Sequence, residues 1–329
     1  QHRARALGVD LRFQQDVRSF ADVKRLGLAN VDLVVAADGI NSAIRQELAT
    51  HFRPNLDARK ARYIWLGTTQ RFDAFTFIFV VNDDGVFQVH AYRFDESQSA
   101  FIVECDERSW RNAGFDRMDA GATLRACESM FGAWLGGHGL MHNAPHQRAK
   151  PWLTFVRVSN ASWYHDNVVL IGDAAHTAHF SIGSGTKLAL EDAISLARVV
   201  DEHGPNDLTR ALKRYQDERM TEALRLQNAA RNSMEWFENV RRYVNLDPPQ
   251  FAYSLLTRSQ RVSHENLRLR DRHFLEGVER WFYEAATGRS ADEPAPHARL
   301  EAREERGDVG VGGRWEALEH QPRRTDGRP

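Results

Sequence analysis

The stretch from 168 to 193 constrains the fold of this chain more than any other. It opens with four apolar residues, Val168-Val169-Leu170-Ile171, passes through Gly172-Asp173 and a loop of small residues, and enters an apolar-periodic run at Leu188. This order predicts a buried strand, a tight turn and a helix. Ligands bind outside the carboxyl ends of such strands, so the stretch predicts a ligand site.

The loop between this strand and this helix carries the groups that would hold the ligand. Gly183 and Gly185 let the backbone approach a ligand closely. The first N–H groups of the helix have no partner within it, so anionic or electron-rich groups are favoured there. Asp173, at the end of the strand, can accept hydrogen bonds from sugar or ribityl hydroxyls.

A second stretch that predicts a strand, a turn and a helix lies near the start of the chain. Val31-Asp32-Leu33-Val34-Val35-Ala36-Ala37 predicts a strand buried on both faces, as in a parallel sheet. It ends in Asp38-Gly39, and a helix follows for which Asn41 or Ser42 is the expected cap. An Asp-Gly turn alone is weak evidence of function, since such turns are common.

Composition excludes several classes of protein. With 329 residues and 42% hydrophobic content, the chain can bury a core, which excludes disorder of the whole chain. Its net charge of −1 gives no field that would attract nucleic acid or an anionic membrane. No run approaches the about 18 to 20 apolar residues of a membrane span. The two cysteines, Cys105 and Cys127, predict buried apolar roles and a reducing, cytoplasmic setting, and no metal site is expected.

Between and after the two motifs, the pattern predicts an antiparallel sheet and then helices. Strands are expected at 63–67, 75–81, 86–92, 101–105 and 153–158, with a hairpin turn at 82–85, and one or two short strands within 9–25. Helices are expected at 106–137, from the second motif to about 203, through 215–237 up to Pro248-Pro249, and at 262–286. Aromatic residues of the sheet could stack on an aryl ligand, although core packing is the commoner role.

Both motifs, in this order, resemble the class A flavoprotein aromatic hydroxylases, the para-hydroxybenzoate hydroxylase-like family. The resemblance implies FAD as cofactor, with Asp38 and Gly39 near its pyrophosphate and Arg45 supporting the turn or meeting the nucleotide. It implies that Gly172 and Asp173 bind the cofactor, with Asp173 holding the ribityl chain, and that His176 helps to order the loop. The residues expected to stabilise negative charge on the flavin are Ile182, Gly183, Ser184, Gly185 and Thr186. No catalytic side chain is predicted.

The loop 181–187 and the later stretch 251–268 are similar to a narrower branch, which acts on salicylyl-CoA or 2-aminobenzoyl-CoA. This implies an NAD(P)H-using monooxygenase that hydroxylates an aryl-CoA with dioxygen through a flavin C4a-hydroperoxide. Phe180, Arg258 and Arg261 are the candidate substrate contacts, although a solvated helix face is the commoner role for such arginines. The alternatives are a hydroxylase of a free phenolic or other small aromatic compound, and an inactive remnant that serves as a scaffold or partner subunit.

The expected fold class is α/β: a partial FAD-binding, Rossmann-like parallel sheet with an inserted antiparallel substrate domain and a C-terminal helical layer. The family's Gly-x-Gly-x-x-Gly turn does not occur before residue 31. We therefore expect a chain truncated at its N-terminus that retains flavin weakly. The expected divisions are FAD-binding residues 1–60, a substrate domain at 61–158, FAD-binding residues 159–203, helices at 204–288 and a disordered tail at 289–329.

Overall fold

The structure is a computed structural model that describes residues 1–142, 151–204, 207–288 and 290. Residues Gln1–Leu269 form one compact unit, and a second unit begins at Arg270. The tail expected at 289–329 lies outside the described residues, apart from Ser290. The domain divisions expected from the sequence stay predictions.

All of the described strands lie between residues 34 and 170, and a run of helices follows them from residue 185. The strands are β1 (Val34–Ala36), β2 (Pro54–Thr68), β3 (Thr76–Asn82), β4 (Gly85–Arg93), β5 (Ser99–Cys105), β6 (Leu140–His142), β7 (Leu153–Asn160), β8 (Tyr164–His165) and β9 (Val168–Leu170). The helices are α1 (His2–Ala6), α2 (Phe20–Arg25), α3 (Ala43–Glu47), α4 (Ala49–Phe52), α5 (Glu107–Asn112), α6 (Ala120–Leu135), α7 (Gly185–His203), α8 (Leu208–Glu238), α9 (Pro248–Thr257), α10 (His264–Arg270) and α11 (Arg272–Thr287). Short 3-10 turns lie at Gly172–Ala174, Phe180–Ile182 and Val240–Arg242.

A three-stranded sheet in the order β1-β9-β8 joins the two sequence motifs. β1 and β9 run parallel, with Val34 opposite Val168 and Ala36 opposite Leu170, so both motif turns leave the same edge of this sheet. The mixed α/β class is therefore confirmed. Burial of β1 on both faces is wrong for Val35, which stays 41% exposed because β1 is the edge strand among the described residues.

The second sheet is antiparallel and has the order β3-β4-β5-β2-β6, with β7 paired to the other end of β2. Its hairpin turn is as expected: Asn82 pairs with Gly85, and the Asn82 side chain accepts from the Asp84 and Gly85 N–H groups at 3.0 and 3.1 Å. β2 runs for 15 residues, far beyond the strand expected at 63–67, because its first half pairs with β7 and its second half with β5.

Three hydrophobic clusters lie among the described residues of the first unit, and two of them are large. One packs the antiparallel sheet against α6, around Leu66, Phe101 and Phe131. The other packs the three-stranded sheet against α7 and α8, around Leu170, Val199 and Tyr215. Both cysteines are free and buried, as expected from their small number.

Several boundaries differ from the sequence predictions. The strands expected within 9–25 are wrong: Phe20–Arg25 forms a helix, because Ser19 caps it by accepting from the Asp22 N–H. The helix expected over 106–137 is two helices, each with its own aspartate cap, Asp106 for α5 and Asp119 for α6.

The C-terminal helices also begin and end elsewhere. α8 ends at Glu238, and Pro248 begins α9 rather than ending a helix, since proline fits the first helical turn. The single helix expected at 262–286 is interrupted between Arg270 and Arg272, where Asp271 caps α11 by accepting from the Phe274 N–H.

Candidate functional site

A cavity of about 690 Å³ opens where the two motif turns meet the antiparallel sheet. Its walls include both motif turns, the start of α7 and the inner face of the sheet. The lining residues are Ala37, Gly39, Trp65, Phe75, His90, Tyr92, Ile102, Ile171, Gly172, Asp173, Ala178, Phe180, Gly183, Ser184, Gly185, Thr186 and Ala189. Most of the predicted cofactor contacts are therefore brought together in one place.

The Gly172 turn at the end of β9 is fixed by buried polar contacts. Gly172 has φ of 58°, and a Cβ there would lie 3.1 Å from the Ala189 Cβ, so the turn suits glycine alone. The fully buried Asp192 of α7 accepts from the Gly172 N–H at 3.0 Å and from His176 Nε2 at 2.7 Å. Arg219 of α8 donates to the other oxygen of Asp192 at 2.9 Å. Burial opposes ionisation of Asp192, but these bonds outweigh it and lower its pKa.

The contact of His176 with Asp192 ties the loop to α7, and His176 does not line the cavity. Its ring also stacks on Trp163 at a centroid distance of 4.8 Å. Asp173, the next residue after the glycine, points into the cavity, and desolvation there raises the pKa of its carboxyl group.

The start of α7 faces the cavity without a capping side chain. Ser184 is the N-cap residue, but its hydroxyl donates to the Ile182 carbonyl at 3.1 Å instead of accepting from the helix. Gly183 adopts a left-handed φ of 62°, and a Cβ on Gly185 would meet nothing within 4 Å. The first N–H groups of a 19-residue helix are thus left for a ligand at the cavity wall.

The Asp38-Gly39 turn is tied to the other motif by Arg45. Asp38 accepts from the Ala43 and Ile44 N–H groups at 2.8 and 3.3 Å, and so caps α3 together with Ser42. The buried guanidinium of Arg45 donates to the Ile40 carbonyl at 2.5 Å and to the Ala174 carbonyl at 2.9 Å. Burial lowers the Arg45 pKa from its ordinary value. Of the two roles considered for Arg45, support of the turn is the one these contacts make.

Aromatic side chains form the opposite wall. Phe180 lies 4.9 Å from Tyr63, 6.0 Å from Trp65 and 5.4 Å from His90, measured between ring centroids. Phe75 stacks on Tyr92 at 5.4 Å. Phe87 and Phe101, two other aromatic residues of the sheet, are fully buried in its core.

A buried polar cluster lies behind Phe180. His90 of β4 contacts Glu104 of β5, with 3.1 Å between Nε2 and Oε2, and His179 Nε2 lies 3.7 Å from the other Glu104 oxygen. All three side chains are at most 2% exposed. Burial lowers the pKa of His90 to about 3 and that of His179 to about 4, and raises the pKa of Glu104 to about 7.

Arg258, the residue that follows α9, lies near this cluster and forms hydrogen bonds within the protein. Its guanidinium donates to the Ser233 hydroxyl, the Leu255 carbonyl and the Ser181 carbonyl at 2.9, 2.6 and 3.0 Å. It also lies over the rings of Phe77 and Phe237, and burial lowers its pKa to about 10. It is thus not part of a solvated face, whereas Arg261 is exposed.

Some predicted contacts do not line the cavity: Asp38, Arg45, His176, Ile182, Arg258 and Arg261. The sequence reasoning also missed His90, which does line it. The signal was the alternation of Gln88 and His90 with apolar residues in β4, but such alternation usually marks a solvated face. Here that face is covered, and both side chains are at most 1% exposed.

Neither a metal-binding cluster nor a membrane-spanning helix is found among the described residues. Nowhere in that part of the chain do three or more His, Cys, Asp or Glu side chains gather in a metal-binding arrangement. None of the described helices has the length and apolar character that crossing a membrane requires.

Comparison with known proteins identifies the family. A family model described as FAD binding domain matches residues 2–230. The chain belongs to the class A FAD-dependent aromatic hydroxylases. Within this family, it is 41% identical over 292 residues to a salicyloyl-CoA 5-hydroxylase of Streptomyces sp, covering 86% of the chain and 54% of that protein.

Two further proteins resemble this chain, one in sequence and one in structure. A 3-hydroxy-4-methyl-anthranilyl-[aryl-carrier protein] 5-monooxygenase of Streptosporangium sibiricum is 36% identical over 241 residues, with 73% of this chain and 62% of that protein covered. The solved 2-methyl-3-hydroxypyridine-5-carboxylic acid oxygenase has a TM-score of 0.51 at 18% identity, covering 81% of this chain and 67% of its own, and so supports the fold. The chain spans little more than half the length of the curated relatives it matches.

The cavity residues fit the flavin half of FAD, the cofactor of this family. Walls without side chains at Gly39, Gly183 and Gly185 leave room for a flat ring system at the start of α7. The carboxylate of Asp173 is a hydrogen-bond acceptor in the cavity wall, and such an acceptor would suit the hydroxyls of a ribityl chain. The fit rests on the shape and chemistry of this chain's own residues.

Proposed function

We propose that this chain forms the catalytic core of an FAD-dependent, NAD(P)H-using monooxygenase that hydroxylates an aromatic ring carried as a coenzyme A thioester. One observation carries the proposal: a single cavity joins the glycine-lined start of α7 to the aromatic wall around Phe180. A flavin and an aryl ring would then lie side by side. When bound, FAD supplies the oxygen chemistry, which no side chain of the cavity offers.

The protein's own part is to bind, orient and stabilise charge. The α7 N-terminus would favour negative charge on the flavin's pyrimidine side, and Asp173 would hold the ribityl chain. Asp38 and Gly39 would lie near the pyrophosphate, in a turn that Arg45 positions through the Ala174 carbonyl. Contact of Arg258 or Arg261 with the substrate stays a prediction.

Two relatives support the choice of substrate class. One is named for salicyloyl-CoA and the other for an anthranilyl group on an aryl-carrier protein. In both named compounds the aromatic ring is attached to a large carrier, which is coenzyme A in one and a carrier protein in the other. An aromatic wall that recognises the ring alone suits a substrate whose carrier extends away from the cavity.

The test measures NAD(P)H oxidation and hydroxylated product in the FAD-loaded protein that carries this chain. Salicyloyl-CoA and 2-aminobenzoyl-CoA are each compared with their free acids. We expect turnover with the CoA thioesters, and stimulation by the free acids alone would show that the substrate is a small aromatic acid. No turnover with any of them would contradict the enzyme and favour an inactive scaffold.

A matched pair of tryptophan variants checks where the ring binds. Trp65→Ala removes part of the aromatic wall, so we expect KM for the aryl substrate to rise by about tenfold or more. Trp134→Ala changes an exposed tryptophan on α6, away from the cavity, and should leave KM unchanged. Equal effects of the two substitutions would contradict ring binding at this wall.

A further inference from the structure

A second pocket, of about 620 Å³, lies at the end of the antiparallel sheet and shares no lining residue with the cavity. It is lined by Arg71, Arg93, Phe94, Asp95 and Glu96. Within the described part of the chain, neither guanidinium forms an ion pair or a hydrogen bond, and the ring of Phe94, 56% exposed, stacks on no other ring. The two arginines and the ring therefore have no contact within the protein that explains their grouping.

The turn that carries most of these residues is held by its own hydrogen bonds. Asp95 accepts from the Ser97 N–H and the Gln98 N–H, both at 2.7 Å, and from the Ser97 hydroxyl at 3.0 Å. The Phe94 N–H donates to the Gln98 carbonyl at 3.2 Å. The turn thus presents its side chains from a fixed backbone, which reduces the entropy lost when a ligand binds.

The second pocket lies beside the mouth of the cavity. Phe75 lines the cavity yet stays 51% exposed, and it stacks on Tyr92, another lining residue, at 5.4 Å between ring centroids. Arg93 follows Tyr92 directly, and Arg71 precedes Phe75 by four residues, which span at most about 14 Å of extended chain. Successive strand residues point to opposite faces of a sheet, so a ligand would pass from the pocket to the cavity around the end of β4.

The mixture of groups in the second pocket favours a nucleotide over a simple anion. Guanidinium groups bind phosphate oxygens, and an exposed aromatic ring offers a surface on which a base stacks. The carboxylate of Glu96 is an acceptor for the N–H groups of a base or the hydroxyls of a ribose. Because Asp95 and Glu96 balance the charge of the two arginines, no excess positive charge attracts a bare phosphate ion.

We propose that the second pocket binds an adenosine phosphate group, that of the coenzyme A carrier on the substrate. The inference rests on the proposed function, and it gives the thioester a point of attachment outside the aromatic wall. Coenzyme A ends in an adenosine with phosphate on its 3′ and 5′ oxygens, joined to the thioester by a long flexible arm. The nicotinamide cosubstrate NADPH also ends in an adenosine phosphate, but its phosphates are on the 2′ and 5′ oxygens.

The first experiment measures binding to the FAD-loaded protein by calorimetry. Its three ligands are adenosine 3′,5′-bisphosphate, adenosine 2′,5′-bisphosphate and inorganic phosphate. We expect the 3′,5′ isomer to bind at least about tenfold more tightly than the other two. Tighter binding of the 2′,5′ isomer would overturn the assignment to coenzyme A and indicate a site for NADPH. Equal binding of the two isomers, or binding of neither, would overturn the proposal.

Substitutions in the second pocket test its location. A double variant, Arg71→Gln with Arg93→Gln, removes both guanidinium groups, and Phe94→Ala removes the ring. We expect each variant to bind adenosine 3′,5′-bisphosphate about tenfold or more weakly and to keep its unfolding midpoint, because all three side chains are exposed. The matched control is Arg242→Gln, at another exposed arginine that has no ion pair within the described residues, and it should bind normally. Equal affinity in all variants would overturn the location.

The second experiment compares salicyloyl-CoA with the salicyloyl thioester of N-acetylcysteamine, which keeps the ring and the thioester but lacks the adenosine. We expect KM to be at least about tenfold higher for the short thioester at similar kcat, and the double arginine variant to remove this difference. Equal KM values in the unsubstituted protein would overturn the carrier site and leave the proposed function standing. Binding of the bisphosphate by protein that hydroxylates neither thioester would overturn the proposed function and leave the adenosine phosphate site standing.

Discussion

The glycines of the cavity differ in what requires the absence of a side chain, the fold or a bound ligand. Gly185 is at the first turn of α7, where an added methyl group would meet no protein atom within 4 Å. Because Gly185 lines the cavity, that methyl group would occupy space meant for a ligand. We therefore expect Gly185 to be required by the ligand and not by the fold.

We expect Gly185→Ala to leave the unfolding midpoint unchanged and to weaken FAD binding by about tenfold or more, since a methyl group would displace the flavin from the helix N-terminus. Flavin fluorescence quenching measures the affinity. The matched control is Gly132→Ala, an exposed position in α6 with no protein atom within 4 Å of its added methyl group. Unaltered FAD affinity in Gly185→Ala would contradict placement of the flavin at α7.

Gly172, in contrast, is required by the fold. Its φ of 58° and the 3.1 Å approach to the Ala189 Cβ leave no room for a side chain. Gly172→Ala should lower the free energy of unfolding by about 1 to 3 kcal/mol, the usual cost of a residue forced into a sparsely populated conformation. Urea denaturation measures the change, and a loss no greater than that of Gly132→Ala would contradict the strain.

At this scale the sequence reveals residue types but not their partners. The sequence could predict Asp38, Gly39 and Gly172, because the residues that form a turn are neighbours in the chain. Arg45 was left with two possible roles, since its contact with the Ala174 carbonyl spans 129 residues of chain. His90 and Glu104 were missed for the same reason, because the residues that cover them come from distant elements.

The helices α7 and α8 act as a pair that holds the strand β9 in place. Asp192 of α7 and Arg219 of α8 meet in a buried ion pair, and Asp192 also accepts from His176 and Gly172. A change in either helix is thus transmitted to the cavity turn through one carboxylate.

We expect Arg219→Met to destabilise the protein by about 3 to 5 kcal/mol, the cost of leaving a buried charge without its partner. The matched control is Lys213→Met, which breaks an exposed pair with Asp217 within α8 and should have no measurable effect. Chemical denaturation at neutral pH measures both. Similar small effects from the two substitutions would show that Asp192 is satisfied without Arg219.

The ion pair between Asp192 and Arg219 predicts that the folded protein loses stability in acid. The folded pKa of Asp192 is lowered, so its contribution to stability is present above the unfolded pKa and is lost as pH falls through the folded one. Asp192→Asn should therefore show a flatter loss of stability with acid than the unsubstituted protein. A parallel pH profile would contradict the shift.

Element types were easier to predict than element ends. The period of the apolar residues indicated helices over 106–137 and 262–286, but aspartates within those runs begin new helices by accepting N–H groups. The same residues would be ordinary solvated positions in a continuous helix, so the pattern alone could not distinguish the two.

At the scale of the whole molecule, one buried carboxyl group makes the stability of the fold depend on pH. Burial raises the pKa of Glu104 to about 7, so its protonated form is favoured in the folded state. Its contribution is fully present below the ordinary pKa of glutamate and is lost as pH rises towards 7. His90 and His179 act in the opposite direction, since their lowered pKa values cost stability only as pH falls below their ordinary range.

We expect Glu104→Gln to be more stable, relative to the unsubstituted protein, at pH 8 than at pH 5, because glutamine cannot acquire the buried charge. The histidine contributions are common to both proteins and largely cancel in the comparison. Denaturation midpoints at the two pH values measure the difference. A relative stability that is the same at both would contradict a raised Glu104 pKa.

The broad architecture was within reach of the sequence, because hairpin turns and parallel strands leave local patterns. The sequence could not predict the pairing of β2 with three different strands, because that pairing depends on contacts between distant residues. The location of the cavity follows from that pairing, since Trp65 of β2 and His90 of β4 reach it from the same sheet.

The long strand β2 also has a consequence for how the protein folds. Its first half pairs with β7, and all of β3, β4, β5, α5, α6 and β6 lie between the two in the chain. Closing so long a loop is slow, because the entropy is lost before the contacts form. A nascent chain would therefore expose the edge of β2 until β7 has been synthesised, and refolding from denaturant should be limited by this one late pairing.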